Sequence, residues 1–292
     1  MRRLLTLALA FLMVAAVVLS HARGPAASAG VEQASASSQE LDRILDRYVQ
    51  AVGGRDALGK LTSRRMKGRV SQAAARVAGQ VQIDQKAPNK WLEKEVFIYA
   101  APPPNDHSER RMGFNGKVGW SESDDIDAGT LGERNLAFDL ERPLSLKGLY
   151  RSLKLNGMQQ VESDHPHQQY RAGEDARDDL RGTLDRASSA SGATSQAYVI
   201  EATKADGNID KLYFDIKTGL LLRCDLGVAP GRYGLTWYFE QYREVDGVQV
   251  PHRLVYRQNF SGNQVDTIFD FNEIYQNIAI DDAEFEKPRK SS

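Results

Sequence analysis

The sequence predicts a mainly β, α+β fold: a curved antiparallel sheet with an N-terminal helix laid on one face. Three observations carry this. Leu41, Ile44, Leu45, Tyr48, Val49 and Val52 recur at helical intervals and stop at Gly53-Gly54. From Ser63 onward the period changes to the alternation of half-buried strands. Tight turns then separate successive strands, which makes sequence neighbours antiparallel neighbours.

The chain of 292 residues opens with Arg2 and Arg3, a run of 16 residues from Leu4 to Leu19 that is apolar throughout apart from Thr6, and Ala27-Ser28-Ala29 as an A-x-A site. That order of charge, apolar run and small residues reads as a signal peptide over residues 1–29. The run is short of the roughly 20 residues a bilayer span needs. An uncleaved anchor is the alternative reading. Residues 30–37 read as a flexible leader, and residues 38–288 as one domain. Ser37 and Glu40 have capping-box spacing and place the helix start at Ser37. Without residues 1–29, which hold three arginines and no acid, the chain carries 35 basic and 39 acidic residues. No basic stripe stands out, which argues against nucleic acid as a partner.

Along the chain, Val81 and Ile83 alternate with Gln80, Gln82 and Asp84, and Ala87-Pro88-Asn89 turns into an apolar Trp91–Tyr99 run. Arg110–Phe114 and Lys117–Ser121 flank Asn115-Gly116, a two-residue hairpin signal. Residues 136–156 lose the alternation and look partly helical. Residues 163–195 are polar and Ser/Ala/Gly-rich, and read as a disordered insertion within the domain. Strands follow at Tyr198–Ala202 and Asn208–Ile216. On the next strand Leu220, Leu222, Cys224 and Leu226 share a face, as do Leu235, Trp237 and Phe239 on the one after. Asp246-Gly247 turns the chain into Val248, Val250, Leu254 and Tyr256, and Val265, Phe269 and Phe271 complete the pattern.

Few residues invite chemistry. There is no G-x-S-x-G, H-E-x-x-H, P-loop or G-x-G-x-x-G motif, so no enzyme is expected. His165 and His167 beside Asp164 lack further ligands, and Asp124, Asp125 and Asp127 lack the rest of an EF-hand loop. No metal and no cofactor is expected. Cys224, the single cysteine, reads as a buried inert thiol, and His252 falls on the apolar side of its strand. Pro251 belongs on an edge or at a bulge.

Ile44 to Gly54, Lys86 to Lys90, Gly113 to Gly116 with Gly119-Trp120, Asp215 to Leu221, and Tyr242 to Val248 followed by Pro251 occur in that order over residues 40–285. Together they resemble the outer-membrane lipoprotein-sorting, LolA-like group of bacterial exported proteins. The resemblance implies a half-open β-barrel with helices at its mouth. It also implies a periplasmic, non-catalytic carrier of an apolar ligand such as lipid or lipoprotein acyl chains. The polar stretch 163–195 is outside that pattern, and no acyl-carrier residue set maps onto this chain.

From the residues alone, a curved sheet with an apolar concave face needs a cover, and the N-terminal helix and the 136–155 segment are the candidates. If the covers fit loosely, Trp91, Trp120, Trp237, Phe239, Phe269 and Phe271 are the expected cavity lining; ordinary core packing is the alternative for each. The expected partner is a lipid or an acylated protein, with membrane contact only through the N-terminal segment or during ligand handover. A second reading is an interaction module docking on another envelope protein. A cavity of a few hundred Å3 would favour the carrier, and an open strand edge the module.

Overall fold

A computed structural model describes residues 26–72, 77–99, 107–122, 134, 137–162, 193–227, 234–260 and 263–288. The chain divides into two units, residues 1–40 and 41–292. The described part of the first is helix, part of α1 (Ala26–Ala51). Residues 30–37 are helical here, and Ser37 lies inside α1 and not at its N-cap. The physical reason is composition: residues 26–37 hold mostly Ala, Ser, Gln and Glu, with one glycine and no proline to interrupt them. Among the described residues no helix is long and apolar enough to cross a membrane.

The second unit is one twelve-stranded antiparallel sheet that does not close. Its strands are β1 (Ser63–Gln72), β2 (Val77–Lys86), β3 (Lys90–Tyr99), β4 (His107–Phe114), β5 (Gly119–Ser121), β6 (Ser152–Glu162), β7 (Thr194–Thr203), β8 (Ile209–Asp215), β9 (Leu221–Leu226), β10 (Leu235–Val245), β11 (Val248–Phe260) and β12 (Asn263–Gln276). Their order is β5-β4-β3-β2-β1-β12-β11-β10-β9-β8-β7-β6. Two meanders thus meet at a β1–β12 seam, where Met66 faces Ile274 and Val70 faces Phe269. Among the described residues this unit also holds the helices α2 (Gly54–Leu58) and α3 (Arg142–Leu149), further helical residues at 134, 137 and 138, and a 3-10 turn at Asp282–Phe285.

This order explains the cover. β5 and β6 are consecutive in the chain but stand at opposite edges, so the link between them must cross the sheet. The crossing segment includes Arg134, Phe138, Leu140 and α3, and Phe138, Leu140 and Leu146 are buried against the main core. Phe138 also measures the curvature. Its ring lies 5.8 Å from Trp91 on β3 and 5.8 Å from Trp237 on β10. Those strands are five steps apart, about 24 Å along a flat sheet at the usual spacing. Only a strongly curled sheet lets one ring touch both, and the face Phe138 sits on is the concave one.

The apolar stripe of α1 packs in the same core through Ile44, Leu45, Tyr48, Val49 and Val52, with Tyr48 5.1 Å from Phe214. At its end Gly53 has φ +129, and a Cβ there would stand 2.5 Å from the Gly247 carbonyl, so only glycine fits. Val52 O accepts from Gln249 N at 3.1 Å, which ties the helix to β11.

Several local readings need correction. The 136–156 stretch is helical only as far as Leu149; β6 begins at Ser152, because Leu153 and Leu155 alternate onto the core. The β4–β5 loop is Asn115–Val118, four residues and not two. Asn115 Oδ1 accepts from the amides of Lys117 and Val118 and so holds a wider turn. On β9, Leu221 and not Leu222 accompanies Cys224 in the main core. A register shift opposite Tyr213/Phe214 displaces Leu222 to the convex cluster of Val161, Ala197, Val199 and Tyr213. β7 begins at Thr194, so the end of the 163–195 stretch is strand; residues 163–192, with His165 and His167, lie outside the described residues, as do Asp124, Asp125 and Asp127 and residues 1–25. Asp246 and Gly247 both have positive φ between the facing pair Val245 and Val248, a two-residue hairpin. Pro251 stands opposite Tyr242 in the β10–β11 ladder, next to the positive-φ residue Gln241 and ahead of the β11–β12 pairing that begins at Arg253, so toward β12 it faces no ladder partner among the described residues.

Candidate ligand site under the crossing segment

Five of the six expected lining residues come together. Trp91, Trp237, Phe239, Phe269 and Phe271 all lie in the core on the concave face. Trp237 is 4.6 Å from Tyr256 and 6.1 Å from Phe269, which in turn stacks on Phe271 at 6.5 Å. Trp120 does not join them. It points to the convex side, packs with Leu92, Ile280 and Phe285, and its Nε1 donates to Phe285 O at 2.7 Å. The reason is parity: Trp120 pairs with Gly113, which stands beside Leu92, and Leu92 points away from Trp91.

The crossing segment does not cover this aromatic face with apolar atoms alone. The Arg134 guanidinium lies 4.7 Å from the Tyr256 ring and 5.3 Å from those of Trp237 and Phe269. It also reaches the Glu93 carboxylate at 3.6 Å. Glu93 and Glu95 share the concave side of β3 with Trp91 and are buried, with Arg110 ion-paired to Glu95. Further polar contacts also fasten the segment. Gln85 Nε2 donates to Phe138 O, Lys147 Nζ meets Asp42 at 2.6 Å, and Tyr150 Oη donates to Asp210 at 3.1 Å.

Burial, with the adjoining charge of Glu93, pushes the Glu95 carboxyl up to about 8. The folded chain then keeps a proton that the unfolded chain gives up in the ordinary carboxylate range. Between those two values the folded state binds more protons, so stability falls as pH rises through the window from about 4.5 to 8. A fall on the order of 3 kcal/mol between about pH 5 and pH 8.5 is expected. Urea midpoints of wild type and Glu95→Gln across that range check it; an equal fall in both would place the titration elsewhere.

Beside this region lies a cavity of about 70 Å3 between α1, α3, β1 and β11. Its apolar wall includes Phe239, Met66 and Leu254, and its polar wall Tyr48, Arg64, Asp139 and Arg142. Arg142 is buried and sits 5.7 Å from the centre of the Phe239 ring. Arg64 Nε is buried with no hydrogen-bond partner, and burial lowers its guanidinium to about 10. Burial raises the Tyr48 hydroxyl and the Asp139 carboxyl, the latter opposed by the Glu141 amide donating at 3.0 Å.

Other chemical groups are quiet. Burial pushes the Cys224 thiol up to about 12, so it is held protonated. His252 Nδ1 is 3.0 Å from Val250 O, and burial lowers its imidazole. No cluster of three metal-ligating side chains occurs among the described residues.

Sequence reasoning missed Glu93, Glu95, Arg64, Arg142 and Arg134. Glu93 and Glu95 had a usable signal, since they share the parity of Trp91. Arg64 likewise shares parity with Met66. Arg134 and Arg142 had none, because the path of the crossing segment follows from strand order alone.

No family model and no curated protein sequence matches the chain. Solved structures do. A LolA superfamily protein from Nitrosomonas europaea is similar with a TM-score of 0.43 and 12% identity, over 84% of this chain and 97% of that one. A DUF1329 family protein from Desulfovibrio piger gives 0.45 and 11%, over 84% and 96%. An outer membrane lipoprotein-sorting protein domain from Vibrio parahaemolyticus gives 0.44 and 11%, over 82% and 97%. The first and third belong by name to the group that the turn motifs of this chain resemble.

Proposed function

We propose that the domain is a non-catalytic periplasmic carrier, taking an apolar ligand such as a lipid or lipoprotein acyl chain between the concave aromatic face and the crossing segment. The observation that carries this reading is the cover itself. A permanent core would be closed by apolar side chains, whereas here a guanidinium rests on three aromatic rings. Burying a cation in that position costs free energy, which its ion pair with Glu93 and its ring contacts offset. An acyl chain replacing it would bury more apolar surface, at about 25 cal/mol per Å2. The cavity of about 70 Å3 is below the roughly 300 Å3 at which ligand pockets begin. Uptake therefore requires the crossing segment to move.

That requirement gives the test. Asp42 on α1 and Lys147 on α3 are exposed and ion-paired. Replacing both with cysteine and joining them with a short bis-maleimide should abolish binding of neutral hexadecanol, while the unlinked double variant binds it. Cys224 is buried and does not compete for the reagent. Uptake by the joined protein equal to that of the unlinked one would end the moving-cover reading.

One observation favours the second reading, an interaction module for an envelope protein. β6 is an edge strand of eleven residues, exposed over most of its length, with Met158 58% accessible. A long open edge is a template for strand addition. A folded protein that binds no hexadecanol but captures an extended peptide along β6 would select this reading.

A further inference from the structure

The cavity walled by Arg64 and Arg142 has a property the carrier reading does not require. It is too small for an acyl chain, yet it presents two buried or half-buried cations against one carboxylate, Asp139. Neither cation is there by default of sequence. Arg64 is on the concave side of β1, in line with Met66 and Val70, and faces Gln85 and Gln276 across the sheet. Among the described residues it makes no ion pair, and its Nε meets no acceptor. Arg142 is the first residue of α3 and is buried to 4% exposure. For Arg64, a guanidinium placed without a facing acid is costly in the empty protein, and the cost is recovered when an anion enters.

We propose that this cavity is the head-group site for a carboxylate, so that the ligand taken up by the domain is an anionic amphiphile of the fatty-acid class. This rests on the carrier reading and narrows it. The net positive wall, one charge in excess, matches a single carboxylate. Planar guanidinium is the side chain that pairs with carboxylate in two parallel hydrogen bonds. The Tyr48 hydroxyl, on the same wall and held protonated by burial, is a further donor toward it. Phe239, Met66 and Leu254 form the apolar wall of the same space. They belong to the same continuous core as Trp237 and Phe269, so a chain leaving the head group runs onto the aromatic face.

The experiment compares hexadecanoate, hexadecanol and acetate by calorimetry on the delipidated full-length protein near neutral pH. Hexadecanoate is expected to bind at least tenfold tighter than hexadecanol, and acetate not measurably. In Arg64→Met the ratio of acid to alcohol affinity should fall at least tenfold, with circular dichroism confirming the fold. Arg64→Lys should retain part of the preference. Equal affinity for acid and alcohol in the wild type overturns the head-group site and leaves the carrier standing. Acetate binding as tightly as hexadecanoate overturns the amphiphile in favour of a free small anion. Binding of none of the three removes the carrier reading and this inference with it. The wild-type comparison decides the matter even if the Arg64 variants do not fold.

Discussion

Phe138→Ala is expected to lower the unfolding free energy by about 3–5 kcal/mol and, in the protein that stays folded, to increase hexadecanol uptake. Both effects have one cause. Phe138 is fully buried, and its ring is the contact by which the crossing segment touches Trp91 and Trp237 together. Truncation leaves a void between the two indoles, and the void is apolar on both sides. Leu140 and Leu146 still hold the segment to the core, but with one of its buried anchors gone the cover should lift more easily. Denaturant titration gives the first effect, and binding of neutral hexadecanol gives the second. Loss of stability with unchanged or reduced uptake would make Phe138 ordinary packing and weaken the case for a removable cover.

Gly68→Ala is expected to be at least as damaging, by more than about 3 kcal/mol, for a different reason. Gly68 sits at the register shift of the β1–β12 seam, opposite Phe271. A Cβ there would stand 1.9 Å from the Asp270 carbonyl oxygen and 2.8 Å from the Phe271 Cα. Backbone cannot yield as a flexible side chain does, so the seam must open. The same change at Gly148, where a Cβ meets nothing within 4 Å, should be nearly silent or slightly stabilising. Thermal melts of the two variants side by side make the comparison. A Gly68→Ala protein melting with wild type would mean that the seam tolerates a local shift.

Much of the architecture was legible because it rests on short-range rules. The helix stripe from Ile44 to Val52, the glycine stop, and the concave faces of β10, β11 and β12 follow from periods of 3.6 and 2. The Asp246-Gly247 turn follows from which residues accept positive φ. What was not legible depended on position beyond the window of a motif. Asn115-Gly116 marks a turn, but the loop length is set by Asn115 Oδ1 bonding two amides ahead of it. The alternation on β9 fails because one extra residue flips Leu222 outward. The aromatic residues of the proposed site were found by type, and Trp120 was misplaced with them because type says nothing of which side of the sheet a strand presents. Arg134 and Arg142 were invisible for the opposite reason: they lie on a segment that crosses from one edge of the sheet to the other, whereas Glu93, Glu95 and Arg64 shared the parity of concave-face neighbours.

The seam has a consequence for how the chain acquires its shape. Residues 64–71 pair with residues 268–276, some two hundred positions later. Each meander can zip up from local hairpins, but the two join only when the last long strand arrives. Until then β1 offers a bare row of amides and carbonyls to any neighbour. Topologies with such distant pairings fold slowly and expose sticky intermediates meanwhile. During synthesis one edge of β1 therefore stays open to unwanted partners until residues 268–276 have been made.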